Sequence, residues 1–266
     1  AQIIKQGSFR SANNTCWSYY ILNTLRKAFH PMSSHRCTKI WNNFQRTNKD
    51  GIDLKFRIED VPEDMWSTAV EFMLGSYIKE DVWWVAAGTA KDLEAVEEYR
   101  VLLTSIIRQR MSVACFLIEG DGSGRTLVGM NMCLPQKKGQ FVEHKPPKTK
   151  AGLVSLRMFA EAMKVTAIYE TYGVEEYLMG AGLSVAPEYR GMGIATELLN
   201  ARFKLSKELG FRATGGIFTS EGAQKTAEKV GMDCLYQISY SEFGKSCSVK
   251  FDTNTENLKI YGKKTE

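Results

Sequence analysis

Two spacings of apolar residues recur along the chain and predict its secondary structure. Apolar and charged residues alternate in 54–58, as in a strand, whereas apolar residues recur at helical spacing after Pro62. The strands predicted in this way are 54–58, 112–119, 126–134, 177–185, 211–218, 234–240, 247–251 and 258–261. The predicted helices are 62–77, 90–110, 153–172, a helix from Ile194 onward and 221–230, with a polar loop at 135–150.

The order of these elements predicts an α/β (α+β) fold. We expect a mixed, mostly antiparallel, twisted sheet with helices on both faces and one parallel crossover, within 177–218. A ligand is expected at the carboxyl end of the strands there, because the sheet changes direction at that point.

The segment VAPEYRGMGIATELL, residues 185–199, joins a buried strand to a helix. From Ile194 onward, apolar residues at helical spacing alternate with polar ones such as Arg202. Arg190-Gly191-Met192-Gly193 is therefore a strand-to-helix turn. Glycine lets the backbone approach a ligand closely, and the free amides and dipole of the helix start favour an anion such as phosphate.

Other uses of such a turn fit this sequence less well. A dinucleotide-binding turn would carry glycine or alanine where Thr196 stands, and it would follow the first strand. A P-loop would continue with Gly-Lys-Ser/Thr. A tight turn that binds nothing stays open, beside acyl-coenzyme A chemistry, which also uses an Arg-Gly-x-Gly-x-Ala turn.

Charge is unevenly distributed along the 266 residues, whose formal net charge is +5. Residues 1–49 include basic but no acidic residues, and the remainder is close to neutral, so no nucleic-acid partner is expected. We predict that 1–49 is a basic leader of unassigned role (a transit peptide, or an extension before a start at Met32) and that 50–266 is one domain. The longest uncharged run in the leader, 11–25, is mostly polar, which disfavours a signal peptide or a membrane partner.

Cysteine and histidine content limits the chemistry further. The six cysteines form no Cys-x-x-Cys pair, and Cys115, Cys133 and Cys234 fall in apolar, strand-like runs. We expect buried free thiols, a reducing cytoplasmic location and no metal site. The three histidines lie in the leader and in a polar loop, so a histidine-dependent catalytic triad is not expected.

The glycine turn and its surroundings resemble the GNAT superfamily of N-acetyltransferases. The resemblance is carried by Leu183-Ser184-Val185, by the run from Tyr189 to Ala195 and by Lys229-Val230-Gly231-Met232. More narrowly, FRIEDVPED, the predicted helix over 154–172 and the closing VKFDTNTENLKIYGKK are similar to the insect arylalkylamine N-acetyltransferases. The resemblance spans 54–263 and implies transfer of an acetyl group from acetyl-CoA to a primary amine within a ternary complex.

The resemblance also implies a sheet in which two parallel strands splay apart at the acetyl-CoA site. The diphosphate would lie on the amides of the turn, and the pantetheine would pair like an added strand with 183–185. The residues implied for acetyl-CoA binding are Leu183, Ser184, Val185, Arg190, Gly191, Met192, Gly193, Ile194, Ala195 and Thr219.

Acetyl transfer to an amine needs a base, because an alkylamine with a pKa of about 10 arrives protonated. The resemblance implies an acidic base at the end of the first helix, where this chain reads Lys79-Glu80-Asp81-Val82. Asp81 occupies the position of the family's glutamate, Glu80 lies one residue earlier, and the usual proline is absent. Both acids are candidates, and Asp81 is preferred.

The leaving thiolate needs a hydrogen-bond donor, for which the family uses a tyrosine, or serines in the insect enzymes. At that strand–helix junction this chain has Thr219 and Ser220, with Ala223 where a second serine is expected. Either hydroxyl could instead only cap the following helix. Trp83 and Trp84 are candidates for an aromatic wall that attracts the substrate ammonium, or for core packing.

Three functions stay open on this basis. The first is acetylation, by a monomer, of an arylalkylamine such as dopamine, serotonin or tryptamine. The second is acetylation of another amine, such as a polyamine, an agmatine-like compound or a peptide N-terminus. The third is a non-catalytic acyl-CoA-binding protein, which the altered acidic run and the missing serine suggest. Because 1–49 shares nothing with the family, its deletion is expected to leave the acetylation rate within about twofold.

Overall fold

One mixed sheet of eight strands organises the computed structural model, which describes residues 38–120, 124–139 and 146–265. The strands are β1 Ile40–Thr47, β2 Asp53–Asp60, β3 Val113–Glu119, β4 Gly124–Lys137, β5 Glu176–Val185, β6 Ala213–Phe218, β7 Asp233–Ser239 and β8 Asn257–Lys264. They lie in the order β1-β2-β3-β4-β5-β6-β8-β7. Every neighbouring pair is antiparallel except β5 and β6, which confirms the predicted sheet.

Helices cover both faces of the sheet, as predicted. They are α1 Trp66–Gly75, α2 Tyr77–Glu80, α3 Val82–Ala87, α4 Leu93–Ile107, α5 Lys150–Lys164, α6 Ile168–Tyr172, α7 Ile194–Glu208, α8 Glu221–Lys229 and α9 Tyr240–Cys247. One apolar cluster packs α1, α4 and α5 against the sheet, and a second packs α7 against it. Residues of β3 alternate between the two clusters, as successive side chains of a strand must. Among the described helices, none has the length and apolar character needed to cross a membrane.

The parallel strands β5 and β6 stay together over a very short distance. Their register pairs only Leu178–Met179 with Thr214–Gly215. Beyond this point β5 continues to Val185 and β6 to Phe218 without pairing to each other. Ala181 has no partner in β4, so β5 bulges just where the two parallel strands part. The result is a cleft between the carboxyl ends of β5 and β6.

Arg202 of α7 lies buried at the point where β5 and β6 separate. Its Nε donates to Thr214 Oγ1 at 2.7 Å, and its Nη2 donates to the carbonyls of Leu178, at 3.2 Å, and Gly215. Gly180 leaves the necessary room, because a Cβ there would collide with the guanidinium. The sequence pattern assigns Arg202 to the polar side of its helix, and that assignment is wrong. Its donors satisfy backbone carbonyls at the start of the cleft.

The predicted strand over 247–251 is not formed. Ser239 caps the start of α9 by accepting from the amide of Glu242, and the helix covers the chain to Cys247. Only Cys247 of the predicted strand belongs to the helix, where it shares a buried side with Tyr240 and Phe243, and 248–251 form no strand. The last strand, β8, is longer than the predicted 258–261.

Two further predicted bounds differ from the structure. The predicted helix over 153–172 is the pair α5 and α6, interrupted at 165–167. Val165 and Thr166, in that interruption, are β-branched and of low helix propensity. The predicted loop at 135–150 begins too early, because β4 runs to Lys137 while paired with β5.

Free cysteines lie in the sheet. Cys115 and Cys133 are free and buried, which confirms the expectation for them. Cys234 is free but exposed, since it lies on β7 at the edge of the sheet. Cys16 and Cys37 lie outside the described residues.

The sheet begins inside the segment predicted as a leader. β1 is an edge strand of mostly polar residues, of which Asn43, Gln45 and Thr47 are exposed, so its sequence gives little strand signal. Trp41 of β1 is buried in the apolar cluster that packs α7 against the sheet. Its Nε1 donates to Asp60 Oδ1 at 2.8 Å. The boundary at residue 49 therefore lies beyond β1, and deletion of 1–49 would remove this strand from the sheet. The rest of that segment, 1–37, lies outside the described residues.

Replacing Trp41 by alanine tests the contribution of β1 to stability. The change removes a buried aromatic side chain and leaves the Asp60 carboxylate without its indole donor. The free energy of unfolding should fall by about 3–5 kcal/mol, as measured by urea denaturation. Ile40→Ala is the control, since that side chain is 47% exposed on the same strand and should change stability by less than about 0.5 kcal/mol. If Trp41→Ala lowered the free energy of unfolding by as little as the control, β1 would add little to the stability of the fold.

Candidate functional site

The two acids Glu80 and Asp81 point to different parts of the molecule. Glu80 ends α2, whereas Asp81 has an extended backbone between α2 and α3, with φ −69° and ψ 136°. As the N-cap of α3, Asp81 accepts a hydrogen bond from the amide of Trp83 at 3.0 Å. The adjacent carboxylates are therefore separated by the change from one short helix to the next.

Asp81 directly contacts the candidate donor Thr219. The Oγ1 of Thr219 donates to Asp81 Oδ2 across 138 positions of sequence. Thr219 follows β6 and is buried, and its carbonyl accepts from the hydroxyl of Tyr240 at 2.6 Å. The fold thus joins the preferred base and the candidate thiolate donor at the carboxyl end of β6.

The environment of Asp81 suits a carboxylate that exchanges protons near neutral pH. Burial raises the pKa of Asp81 to about 6, although the hydrogen bonds from Thr219 and Trp83 act to lower it. Burial also raises the pKa of Tyr77 and of Tyr240, and the negative charge of Asp81 adds to both shifts. The carboxylate is accordingly surrounded by hydroxyl groups that keep their protons.

Glu80 belongs instead to the glycine turn. Its Oε2 pairs with Arg190 Nη2 at 2.5 Å, and Arg190 Nε donates to the carbonyl of Val185 at 2.9 Å. Both charged side chains of the pair are about half exposed, at 47% each. The pair therefore joins the end of α2 to the end of β5, and it leaves Asp81 as the acid that faces Thr219.

Within the part of the chain that the structure describes, the amides of Gly191, Met192 and Gly193 in the turn donate no hydrogen bond. Gly191 has φ +79° and Gly193 has φ +76°, in the left-handed region that favours glycine. A Cβ at Gly191 would meet nothing within 4 Å, and one at Gly193 would meet only Arg46, at 3.8 Å. α7 begins at Ile194 without a side-chain cap, so its first amides remain available to an anion. Ile194 itself is buried in the core, so only its backbone could take part.

The end of β5 is paired on one edge only. Leu183, Ser184 and Val185 pair with β4, whereas β6 has already diverged. The side chain of Ser184 is buried and donates to Ser76 Oγ at 3.0 Å. Apart from the Val185 carbonyl, which accepts from Arg190, the second edge of this segment can therefore hydrogen-bond an extended ligand that enters the cleft. Ser220, by contrast, caps α8 by accepting from the amide of Ala223 at 3.4 Å.

The two tryptophans have different environments. Trp83 is 5% exposed, its Nε1 donates to Ser155 Oγ at 3.0 Å, and its ring packs near Phe243. It packs in the core, which is the second of the two roles that the sequence left open for it. Trp84 is partly exposed and lies edge-on to Tyr99 and Tyr77, with ring centroids 4.3 and 6.0 Å away.

Sequence reasoning missed Tyr77, which lies one helical turn before Asp81. The amide of Asp81 donates to the carbonyl of Tyr77 at 3.0 Å. A Cβ added to Gly182 would lie 3.0 Å from Cε1 of Tyr77, so this ring packs against β5 beside the open segment. The spacing of four residues from the acid was the available signal. Tyr77, rather than Trp83, accompanies Trp84 near the carboxylate.

Several solved structures share the fold of this chain. A provisionally designated arylalkylamine N-acetyltransferase 7 from the mosquito Aedes aegypti is 24% identical, with a TM-score of 0.76, over 88% of this chain and 98% of its own. A mosquito arylalkylamine N-acetyltransferase-like 5b is 24% identical, with a TM-score of 0.65, over 79% and 99%. A Drosophila melanogaster polyamine N-acetyltransferase is 16% identical, with a TM-score of 0.63, over 79% and 99%. No curated protein sequence matches this chain.

The three solved structures establish the fold, and the sequence adds the family. The acetyltransferase (GNAT) family matches residues 83–232, a stretch that begins just after Glu80 and Asp81 and includes the glycine turn and Thr219. This stretch is more than half of the chain, and the protein therefore belongs to the acetyltransferase (GNAT) family.

Proposed function

We propose that this protein transfers the acetyl group of acetyl-CoA to the primary amine of an arylalkylamine, by direct attack within a ternary complex. Members of the acetyltransferase (GNAT) family use acetyl-CoA as the acetyl donor. The observation that carries the proposal is the contact between Asp81 and Thr219 at the open ends of β5 and β6, with the pKa of Asp81 raised to about 6 by burial.

Asp81 is proposed as the general base. The substrate amine, with a pKa of about 10, arrives as an ammonium ion that cannot attack a carbonyl. Asp81 is ionised at neutral pH, and its raised pKa makes it a better proton acceptor than an ordinary aspartate. It takes the ammonium proton directly or through a water molecule, and the resulting neutral carboxyl is the form that its buried surroundings favour.

Thr219 is proposed as the donor to the leaving group. When bound, acetyl-CoA supplies a thioester whose sulfur leaves as a thiolate. The Thr219 hydroxyl already contacts Asp81, so the proton taken from the amine lies one hydrogen bond away from the group that must donate to sulfur. Tyr240 holds the Thr219 carbonyl and so limits the position of the hydroxyl. Thr219 then passes a proton to sulfur and regains one from Asp81, and Asp81, ionised again, takes the second proton that the nitrogen loses in forming the amide.

Two features of the cleft support the binding of acetyl-CoA. The positions that a Cβ would take at Gly191 and Gly193 are open, and the helix that follows this turn begins without a side-chain cap. Open space beside free amides suits a diphosphate. The edge of 183–185 that β6 leaves open suits the amides of a pantetheine arm, which would lie between the turn and Thr219. Arg190 stands at the junction, where the diphosphate would compete with Glu80 for its guanidinium.

The rings near Asp81 support an aromatic substrate. Trp84 and Tyr77 combine apolar area with faces that attract an ammonium group. Two of the mosquito proteins of this fold bear arylalkylamine N-acetyltransferase names. The Drosophila relative acts on polyamines and forms N-acetylagmatine, which makes agmatine the competing substrate.

A thiol-release assay with a panel of amines tests the proposal. Tryptamine, dopamine and serotonin should each give a kcat/KM at least about tenfold above that of agmatine, spermidine or a peptide with a free N-terminus. A higher value for agmatine or spermidine would move the substrate class to polyamines. Binding of CoA with no thiol release for any amine would make the protein a non-catalytic CoA-binding member of the family.

A further inference from the structure

Arg46, on the edge strand β1, reaches the glycine turn. Its Nε donates to the carbonyl of Met192 at 3.1 Å, and its Nη2 pairs with Glu197 Oε1 at 3.2 Å. A Cβ at Gly193 would lie 3.8 Å from both of these nitrogens. Arg46 is thus the nearest side chain to the glycine that precedes α7, although it lies far from that glycine in sequence.

The position of Arg46 is fixed from several sides. Asn42, also on β1, donates from Nδ2 to the other carboxylate oxygen of Glu197 at 2.9 Å. The Arg46 guanidinium lies 4.9 Å from the centre of the Phe44 ring, which stacks on Phe56 of β2. The side chain is 39% exposed. This network makes Arg46 part of the turn's support and distinguishes it from a freely solvated arginine.

The contact with the Met192 carbonyl sets the direction of an amide. A trans peptide unit is planar, so its C=O and N–H bonds point in opposite directions. When Arg46 holds the Met192 carbonyl towards β1, the N–H of Gly193 must point away from β1. A cation on the carbonyl also polarises the peptide unit and makes that N–H a stronger donor. Glu197 offsets the charge of Arg46, so the effect is one of orientation more than of added positive charge.

We propose that Arg46 is a positioning residue for acetyl-CoA, which orients the Met192–Gly193 peptide so that the Gly193 amide donates to the diphosphate. The inference rests on the proposed function, because the diphosphate of acetyl-CoA is the anion concerned. It assigns to β1 a role in cofactor recognition that the resemblance of 54–263 does not include.

The test compares two acetyl donors, acetyl-CoA and S-acetylpantetheine, which lacks the diphosphate. Arg46→Gln should lower kcat/KM for acetyl-CoA about tenfold, the usual scale for a hydrogen bond to a charged group, mainly through KM. With S-acetylpantetheine its kcat/KM should stay within about twofold of the wild type, because no diphosphate contact is made. Arg46→Lys keeps one donor for the Met192 carbonyl and should restore most of the activity with acetyl-CoA.

Arg57→Gln is the matched control. Arg57 lies on β2 opposite Asn43 and contacts it through Nε at 3.3 Å, without reaching the turn. This variant should behave as the wild type with both donors. Equal losses with both donors in Arg46→Gln, or no loss with either, would overturn the proposal for Arg46. If the wild-type protein fails to bind CoA in a calorimeter, the cofactor assignment fails as well, and the two failures are thereby distinguished.

Discussion

Replacing Asp81 by asparagine should lower kcat/KM for the amine by about 10²–10⁴ at neutral pH, the usual contribution of a positioned general base. Asparagine keeps the shape of the side chain and can cap α3, but it cannot accept a proton from the ammonium. Affinity for acetyl-CoA should stay nearly unchanged, because the glycine turn does not contact Asp81. Steady-state kinetics at several pH values give the measurement.

The pH dependence follows from the raised pKa of Asp81. In the wild-type protein kcat/KM should fall as the pH drops through about 6, because the base becomes protonated. In Asp81→Asn this step should disappear, and the loss of rate should shrink towards high pH, where more amine is neutral. A wild-type profile without a decline near pH 6 would argue against Asp81 as the base.

Stability provides a control against misfolding of the variant. Because burial raises the pKa of Asp81 to about 6, the fold disfavours the ionised carboxylate. The stability contributed by the neutral form is fully present below the unfolded pKa of about 4 and is lost as the pH rises through about 6. Asp81→Asn stays neutral and should unfold, at about pH 7.5, at a temperature equal to or above that of the wild type.

Glu80→Gln is the matched variant for Asp81→Asn. Glu80 is the adjacent carboxylate, but it pairs with Arg190 at the protein surface and does not contact Thr219. Its substitution should leave the amine acetylation rate within about threefold, since exposed ion pairs contribute little. Loss of rate in Glu80→Gln together with full rate in Asp81→Asn would transfer the role of base to Glu80. Full rate in both would remove the catalytic carboxylate from this segment.

Gly193→Val should weaken CoA binding by more than tenfold, and Gly191→Val should do the same. Valine at φ +76° costs about 1–2 kcal/mol of backbone strain, which the turn can relieve only by moving its amides. The new side chain would also occupy the open space beside the turn, where the diphosphate is proposed to lie. Isothermal titration calorimetry with CoA measures the effect.

Gly210→Val separates backbone strain from loss of the binding site. Gly210 has φ +82°, has no atom within 4 Å of an added Cβ, and follows the opposite end of α7. Gly193→Val and Gly210→Val should therefore lower the melting temperature by similar amounts, but Gly210→Val should bind CoA as the wild type does. Unchanged CoA affinity in a folded Gly193→Val protein would show that the turn does not hold the diphosphate.

Local chemistry was sufficient to predict much of the fold. Buried strands such as β5 have a continuous apolar pattern, and amphipathic helices such as α4 have a regular one. The turn at 190–193 could be identified from its glycines alone, because only glycine readily adopts the positive φ that the structure has there. These features depend on residues that are close together in the chain, so they can be predicted from the sequence alone.

The direction of a side chain within a loop could not be predicted from the sequence. Glu80 and Asp81 are adjacent acids, and their sequence does not tell which one faces the cleft. That is decided by the break between α2 and α3, and by Thr219, which lies 138 positions away from Asp81. The raised pKa of Asp81 comes from burial by distant elements and has no local signal.

Long-range packing also decided the residues that the pattern misassigned. Arg202 has a polar side chain, yet it is buried because glycine at position 180 leaves space and strand carbonyls accept its donors. The sequence of β1 is polar and has little strand character, yet the strand pairs at the edge of the sheet. Its Arg46 is held by the carbonyl of Met192 in the turn. Sequence periodicity reports which side of an element is apolar. Whether a polar group finds partners inside the protein depends on which other elements surround it, and only the tertiary structure determines that.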